Sequence, residues 1–227
     1  MESALRGSIP TGVKIIETFR FDRAGGFGRL PLHFGRMAET ARVLGYPFHE
    51  DHARAALAGV VTQPLACPIG GASAPALRCR LTLDAHGKFD LTVAEAGEKP
   101  QLWKIAVSEQ RLCAANAWLR HKTTQRDTYD QARAALPSGI DEWIFCNERG
   151  EVCEGTITSI FLKTGGQMLT PPLSSGLLPG VLRRALIGAG QCREQLLFVA
   201  DLRAADEIYV GNSLRGLIRA ELVGLAT

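Results

Sequence analysis

Two short segments of this 227-residue chain carry groups able to do chemistry together. In HKTTQRDTYDQAR, His121 to Arg133, a single lysine, Lys122, stands where an extended stretch passes into a helical pattern. In NERGEVCEGTITSIF, Asn147 to Phe161, a predicted hairpin ends on one carboxylate, Glu154. A lysine amine condenses with a carbonyl to form a Schiff base once burial or a neighbouring cation leaves it uncharged. A carboxylate in a partly dry site keeps a heterocyclic nitrogen protonated by direct charge attraction.

A third group completes the set. The run TPPLSSGLLPGVLRRAL is rich in turn residues up to Pro179 and Gly180 and then turns apolar and basic, which predicts a helix over about 181–189. Amides at a helix start have no acceptor within the helix and bind anions. Ser213 in GNSLRG adds a hydroxyl, and Arg36 in LPLHFGRMAETARVLG adds a guanidinium that can fork onto phosphate oxygens. A Schiff-base amine, a ring-nitrogen carboxylate and a phosphate anchor are the three requirements of pyridoxal 5′-phosphate. Each residue also has an ordinary structural use. A lysine at a helix start is usually a solvated charge. Glu154 could support a turn, and Arg36, beside the apolar stripe of Phe34, Met37, Ala38 and Ala41, could line a helix edge.

The ordered set of segments decides between these uses. IETFRF, LHFGRMAETARVLG, LRHKTTQRDTYDQAR, DEWIFCNERGEVCEGTITSIF, TPPLSSGLLPGVLRRAL and DEIYVGNSLRGLIRAEL run from about residue 15 to 223. With them the chain resembles the class IV aminotransferase-like enzymes of fold type IV, and within that family the 4-amino-4-deoxychorismate lyases. The resemblance implies an α+β, two-subdomain fold of the D-amino-acid/branched-chain aminotransferase type. It implies pyridoxal 5′-phosphate as cofactor, with Lys122 as the Schiff-base lysine and Glu154 as the ring-nitrogen partner. Arg36, the amides of Val181 and Leu182, and Ser213 are then the phosphate contacts, and Thr18 helps to move protons. It further implies a homodimer, and an aminodeoxychorismate synthase as a partner enzyme. The implied reaction eliminates pyruvate to leave 4-aminobenzoate, a folate precursor; the alternative is a class IV aminotransferase acting on branched-chain or D-amino acids.

Two departures stand out. The family's extra first strand and Gly-Asp-Gly turn are replaced by MESALRGSIPTGVK, so the first subdomain is expected to be trimmed. Branched-chain transaminases carry a phosphate-binding tyrosine five residues after the lysine, where this chain has Asp127; Tyr129, two positions on, is no simple substitute.

For an anionic amino substrate, Arg215 just past Ser213 is one candidate carboxylate partner and Arg78 another. Arg78 and Arg80 have period-two spacing on one strand face, which suits either a carboxylate site or a solvated sheet surface. A net charge of +3 with both signs scattered leaves no nucleic-acid footprint. No apolar run is long enough to cross a bilayer and MESALRGS lacks a secretion signal's apolar region, so a cytoplasmic protein is expected. The six cysteines form no CxxC pair and no histidines stand at zinc spacing, so reduced thiols and no metal site are expected. Cys153, next to Glu154, is expected to make the enzyme sensitive to alkylation.

These groups need elements to hold them. The pattern predicts a strand at 13–21, a glycine turn at 25–28, the Arg36 helix, a short helix near 51–58, and strands near 77–84 and 88–94. After WKIAV, residues 108–118 show no clear period. The expected division is a small α+β subdomain at 1–108, a linker at 109–118 and a larger barrel-like subdomain at 119–227. The last contains the Lys122 helix, the NERGE hairpin, strands near 159–163, 167–170, 196–199, 207–210 and 214–223, and a partly closed sheet.

Overall fold

The structure, a computed structural model, describes Leu5 and residues 9–62 and 75–224. Contacts divide the chain into two units, Met1–Glu98 with Lys122–Gln125, and Lys99–His121 with Arg126–Thr227. Among the described residues no helix is long and apolar enough to cross a membrane.

The first unit runs β1 (Ile15–Asp22), β2 (Gly26–Phe27), α1 (Leu30–Leu44), α2 (Glu50–Thr62), β3 (Leu77–Leu83) and β4 (Phe89–Glu95). Its strands form an antiparallel sheet in the order β2-β1-β3-β4. Alternation sets its two faces: Ile15, Glu17, Phe19 and Phe21 of β1 lie opposite Leu83, Leu81, Cys79 and Leu77 of β3, and all are buried. Helix α1 covers this face, with His33 and Phe34 packed edge-on to Phe19 at 4.8 and 6.3 Å. Pro31 favours its first turn and Gly45, at φ 73°, ends it in the left-handed conformation.

The second unit runs β5 (Leu102–Leu112), a 3₁₀ turn at Ala117–Arg120, α3 (Asp127–Ala134), β6 (Glu142–Asn147), β7 (Val152–Gly155), β8 (Ser159–Thr164) and β9 (Gln167–Thr170). A 3₁₀ turn at Leu173–Ser175, α4 (Val181–Gly188), β10 (Arg193–Glu194), α5 (Val199–Ala204), β11 (Glu207–Asn212) and β12 (Gly216–Leu222) follow. The sheet order is β10-β9-β8-β11-β12-β5-β6-β7, and β7 also pairs with β8 through Glu154 and Ser159. Strands β8, β11, β12, β5, β6 and β7 therefore close into a ring around Ile105, Ile144, Ile160, Val210 and Ile218. The expected partial closure thus takes a definite form, with Glu154 at the seam.

A buried carboxylate from another strand holds that seam. Glu142 Oε1 accepts from Thr156 N (3.0 Å) and Thr156 Oγ1 (2.5 Å), and Oε2 accepts from Ile157 N (3.2 Å) and Thr158 Oγ1 (3.0 Å). Gly155 is required beside it: a Cβ there would lie 2.5 Å from Thr158 Oγ1 and 2.8 Å from the Glu142 carboxyl carbon.

Three expectations change. The chain passes between units after Glu98, and the proposed linker at 109–118 contains the end of β5 and lies within the second unit. The pairing of β5 with β6 shifts register between Val107 and Arg111, which breaks the apolar alternation while the strand continues. Lys122–Gln125 belongs to the first unit although flanked by residues of the second. The strand expected at 196–199 is absent. Phe198 N donates to Asp201 Oδ2 at 2.7 Å, which starts α5 at Val199 instead. Cys67 and most of MESALRGS lie outside the described residues; the five described cysteines are free thiols.

Glu142→Gln is expected to cost about 3 kcal/mol, because an amide cannot accept all four bonds and leaves buried donors unsatisfied. Denaturant unfolding that matches the wild type would contradict this account of the seam.

Candidate functional site

In the first unit the relevant residues gather around β1. Lys122 lies in an extended segment alongside it: Ile16 N donates to Lys122 O at 2.8 Å, Thr123 pairs with Ile15, and Thr124 N donates to Lys14 O at 2.9 Å. The lysine is therefore fixed by a strand edge, and α3 begins only at Asp127. On the helix-facing side of β1, Glu17 is fully buried and accepts from Arg36 Nε (2.8 Å) and Nη2 (2.7 Å), with His33 Nδ1 2.5 Å from Oε2. Burial alone would raise the Glu17 carboxyl, but the Arg36 charge and the hydrogen bonds of His33 and Arg36 hold it down at about 2. His33 is lowered from its ordinary value, chiefly by burial, and the Arg36 and Lys122 charges push it the same way against the pull of Glu17. The neutral imidazole is thus favoured beside the carboxylate. Arg36 commits its Nε–Nη2 edge to Glu17 in a two-bond contact.

Thr18 is half-buried on the opposite face of β1, in register with Arg80, which is in turn in register with Thr92 of β4. Arg78 is exposed and lies opposite Arg20, a like-charged cross-strand pair.

In the second unit Glu154 is buried, and its Oε1 accepts from Tyr129 Oη at 2.6 Å and Leu178 N at 3.2 Å. The start of α4 is similarly enclosed. Val181, Leu182 and Ser213 are buried. A Cβ on Gly180 would sit 2.5 Å from Ser159 Oγ, and one on Gly211 would sit 2.5 Å from Gly216 O and 2.9 Å from Leu182 Cδ2. Asn212 Oδ1 accepts from Leu214 N and Arg215 N at 3.1 and 3.0 Å, which shapes the turn carrying Ser213. The Arg215 guanidinium lies over the Trp103 ring, 5.8 Å from its centroid. Cys153 is buried, donates to Ser175 O at 3.2 Å, and has its thiol pushed up chiefly by burial and then by the Glu154 charge. A thiol in that state reacts slowly, so the expected sensitivity to alkylation is not supported.

These donors suit pyridoxal phosphate. Glycines at 180 and 211 leave the α4 start without the Cβ atoms that would fill it, the hydroxyls of Ser159 and Ser213 belong to the same unit, and the anchored Glu154 carboxylate suits a pyridinium nitrogen. Sequence reasoning missed Glu17, His33 and Glu142. Their only signal was a charged residue at a buried-face position, visible once the strand register was known.

The profile of the family described as amino-transferase class IV matches residues 14–223. The chain belongs to the class IV aminotransferases. Class IV aminotransferases are pyridoxal-phosphate enzymes, and pyridoxal 5′-phosphate is the cofactor of this one. A Schizosaccharomyces pombe protein provisionally named aminodeoxychorismate lyase is 25% identical over 92% of this chain and 89% of its own length. A Thermotoga maritima protein provisionally named branched-chain-amino-acid aminotransferase is 32% identical over 43% of this chain and 37% of its own. A Mesorhizobium loti crystal structure provisionally described as an amino-acid aminotransferase superposes with a TM-score of 0.83 at 36% identity, covering 93% of this chain and all of the other.

Glu17 makes the stability of the first unit sensitive to acid. Its carboxyl is lowered from an ordinary 4.5 to about 2, so it contributes stability that is complete above 4.5 and lost as the pH falls towards 2. Glu17→Gln is expected to lose about 3–5 kcal/mol at neutral pH, by removing the buried carboxylate that Arg36 and His33 both bond, and to flatten the acid dependence below 4.5. Melting curves across that range test both; a variant with the wild-type pH dependence would contradict the ion-pair assignment.

Proposed function

We propose that this chain is a pyridoxal-phosphate-dependent lyase that converts 4-amino-4-deoxychorismate to 4-aminobenzoate and pyruvate. The observation that carries the reading is the near full-length match to the Schizosaccharomyces pombe relative named for that lyase. A second observation favours it over transamination. The position five residues after Lys122 is Asp127, exposed at the start of α3, and the Tyr129 hydroxyl is directed to Glu154.

When bound, the cofactor supplies a carbonyl carbon for the substrate amine and a ring that accepts an electron pair. Lys122 would hold it covalently, and its amine, when free, would remove the proton from the substrate's ring carbon that bears the amino group. The carbon–oxygen bond to the enolpyruvyl group then breaks, the leaving group is protonated to pyruvate, and the carbocycle becomes aromatic. Glu154 holds the cofactor nitrogen. The amides of Val181 and Leu182, the Ser213 hydroxyl and Arg36 hold the phosphate. Thr18 assists proton delivery. Aromatisation drives the reaction, so the protein's work is orientation and proton transfer.

For the substrate's carboxylates the reading retains Arg215 and Arg78. Trp103 supports Arg215 by holding its guanidinium over the ring. Arg80, flanked in register by Thr18 and Thr92, suits the task better than Arg78, which faces Arg20. A homodimer, and a synthase that produces the substrate, belong to the same reading. The second reading is amino-acid transamination, favoured by the 36% identity to the Mesorhizobium loti structure.

Cofactor-loaded protein mixed with 4-amino-4-deoxychorismate is expected to release 4-aminobenzoate and pyruvate in equal amounts. Lys122→Ala should abolish release and Glu154→Ala should lower it by a hundredfold or more, as for loss of a general base or an electrostatic partner (~10²–10⁴). No release from loaded wild-type protein, with amino transfer from an amino acid to a keto acid, would establish the second reading instead.

A further inference from the structure

Glu154 is anchored by groups from two directions. Leu178 N reaches Oε1 from the turn before α4, and Tyr129 Oη reaches the same oxygen from α3 at 2.6 Å. The tyrosine is itself fixed. Its ring packs edge-on to Phe145 with centroids 5.4 Å apart and planes at 84°, and the Arg126 guanidinium lies 5.6 Å from the ring centroid. Phe145 is fully buried on β6, the strand that pairs with β7, so the ring and the carboxylate share one rigid framework. Burial, then the Glu154 charge, pushes the Tyr129 phenol far up, so its hydroxyl keeps its proton and remains the donor at every working pH.

Both hydrogen bonds to Oε1 require a lone pair on that oxygen, and a proton placed there would oppose two fixed donors. We propose that Tyr129 is a positioning residue which, through Oε1, orients the Glu154 carboxylate and keeps it ionised against the cofactor's ring nitrogen, so that the proton of that pair stays on nitrogen. The proposal rests on reading Glu154 as the ring-nitrogen partner. It gives the tyrosine a place in the electron-accepting machinery without contact with phosphate or substrate.

The test uses cofactor labelled with ¹⁵N in the ring, bound to wild type, Tyr129→Phe, Glu154→Gln and the double variant. The ring-nitrogen chemical shift, the cofactor dissociation constant and the melting temperature of the cofactor-free protein are measured for each. Tyr129→Phe is expected to move the ring nitrogen toward the unprotonated value and to weaken cofactor binding about tenfold, the scale of one hydrogen bond to a charged group. In the Glu154→Gln background the same substitution should leave the ring-nitrogen shift unchanged, because no carboxylate remains to share the ring proton. A Tyr129→Phe protein with the wild-type nitrogen shift and affinity overturns the proposal, whatever its melting temperature. So does an equal effect of Tyr129→Phe on that shift with and without Glu154. If Glu154→Gln itself leaves the ring nitrogen as in wild type, the reading of Glu154 fails, and the proposal with it.

Discussion

The second unit depends on one fully buried carboxylate, Glu142, and the four donors it satisfies across Thr156–Thr158. A six-strand ring closes only if its last strand returns to its first, and here the return is the single pair Glu154 with Ser159. So small a pairing supplies little ladder energy of its own. The segment that follows Glu154 must turn sharply, which strips its amides of sheet partners. Glu142 accepts from those amides and from two threonine hydroxyls, so the cost of a buried, unladdered turn is offset by charge-assisted hydrogen bonds. The Glu154 carboxylate is thereby placed with the help of a second carboxylate, Glu142.

The first unit uses buried charge differently. Glu17, His33 and Arg36 sit on the face of β1 and α1 that otherwise carries Phe19, Phe34 and Met37. A buried ion pair stabilises a fold little better than apolar residues of equal size would, since desolvation consumes most of the attraction. What the pair supplies is direction: Arg36 is locked by two bonds along one edge.

The sequence was legible where chemistry and periodicity coincide. Lys122, Glu154, the α4 start at Val181 and the turn at Ser213 lie in segments whose turn residues and apolar spacing mark the element ends. Alternation marks β1, β3 and β4, and strands are also expected where β8, β9, β11 and β12 stand. The rest was hidden for identifiable reasons. Strand β5 disguises its length with a register shift after Val107, and α5 is started by an Asp201 side chain reaching back to Phe198 N, a contact of too few residues to leave a periodic pattern. Tyr129 has no role legible in the sequence, because spacing along the chain says nothing of which oxygen a hydroxyl will meet. Glu17 and Glu142 are buried acids, the type least expected inside, and only their partners across the fold account for them.

The four-residue loan of Lys122–Gln125 to the first unit has a consequence for the order in which the protein is made. Strand β1 leaves the ribosome early, yet the neighbour that pairs with Ile15 and Ile16 is synthesised about a hundred residues later, after all of β5. Until then β1 carries an unpaired edge beside a buried cluster of charges. The first unit is therefore early in sequence but late in completion, and the segment whose arrival completes the pairing of β1 is Lys122–Thr124.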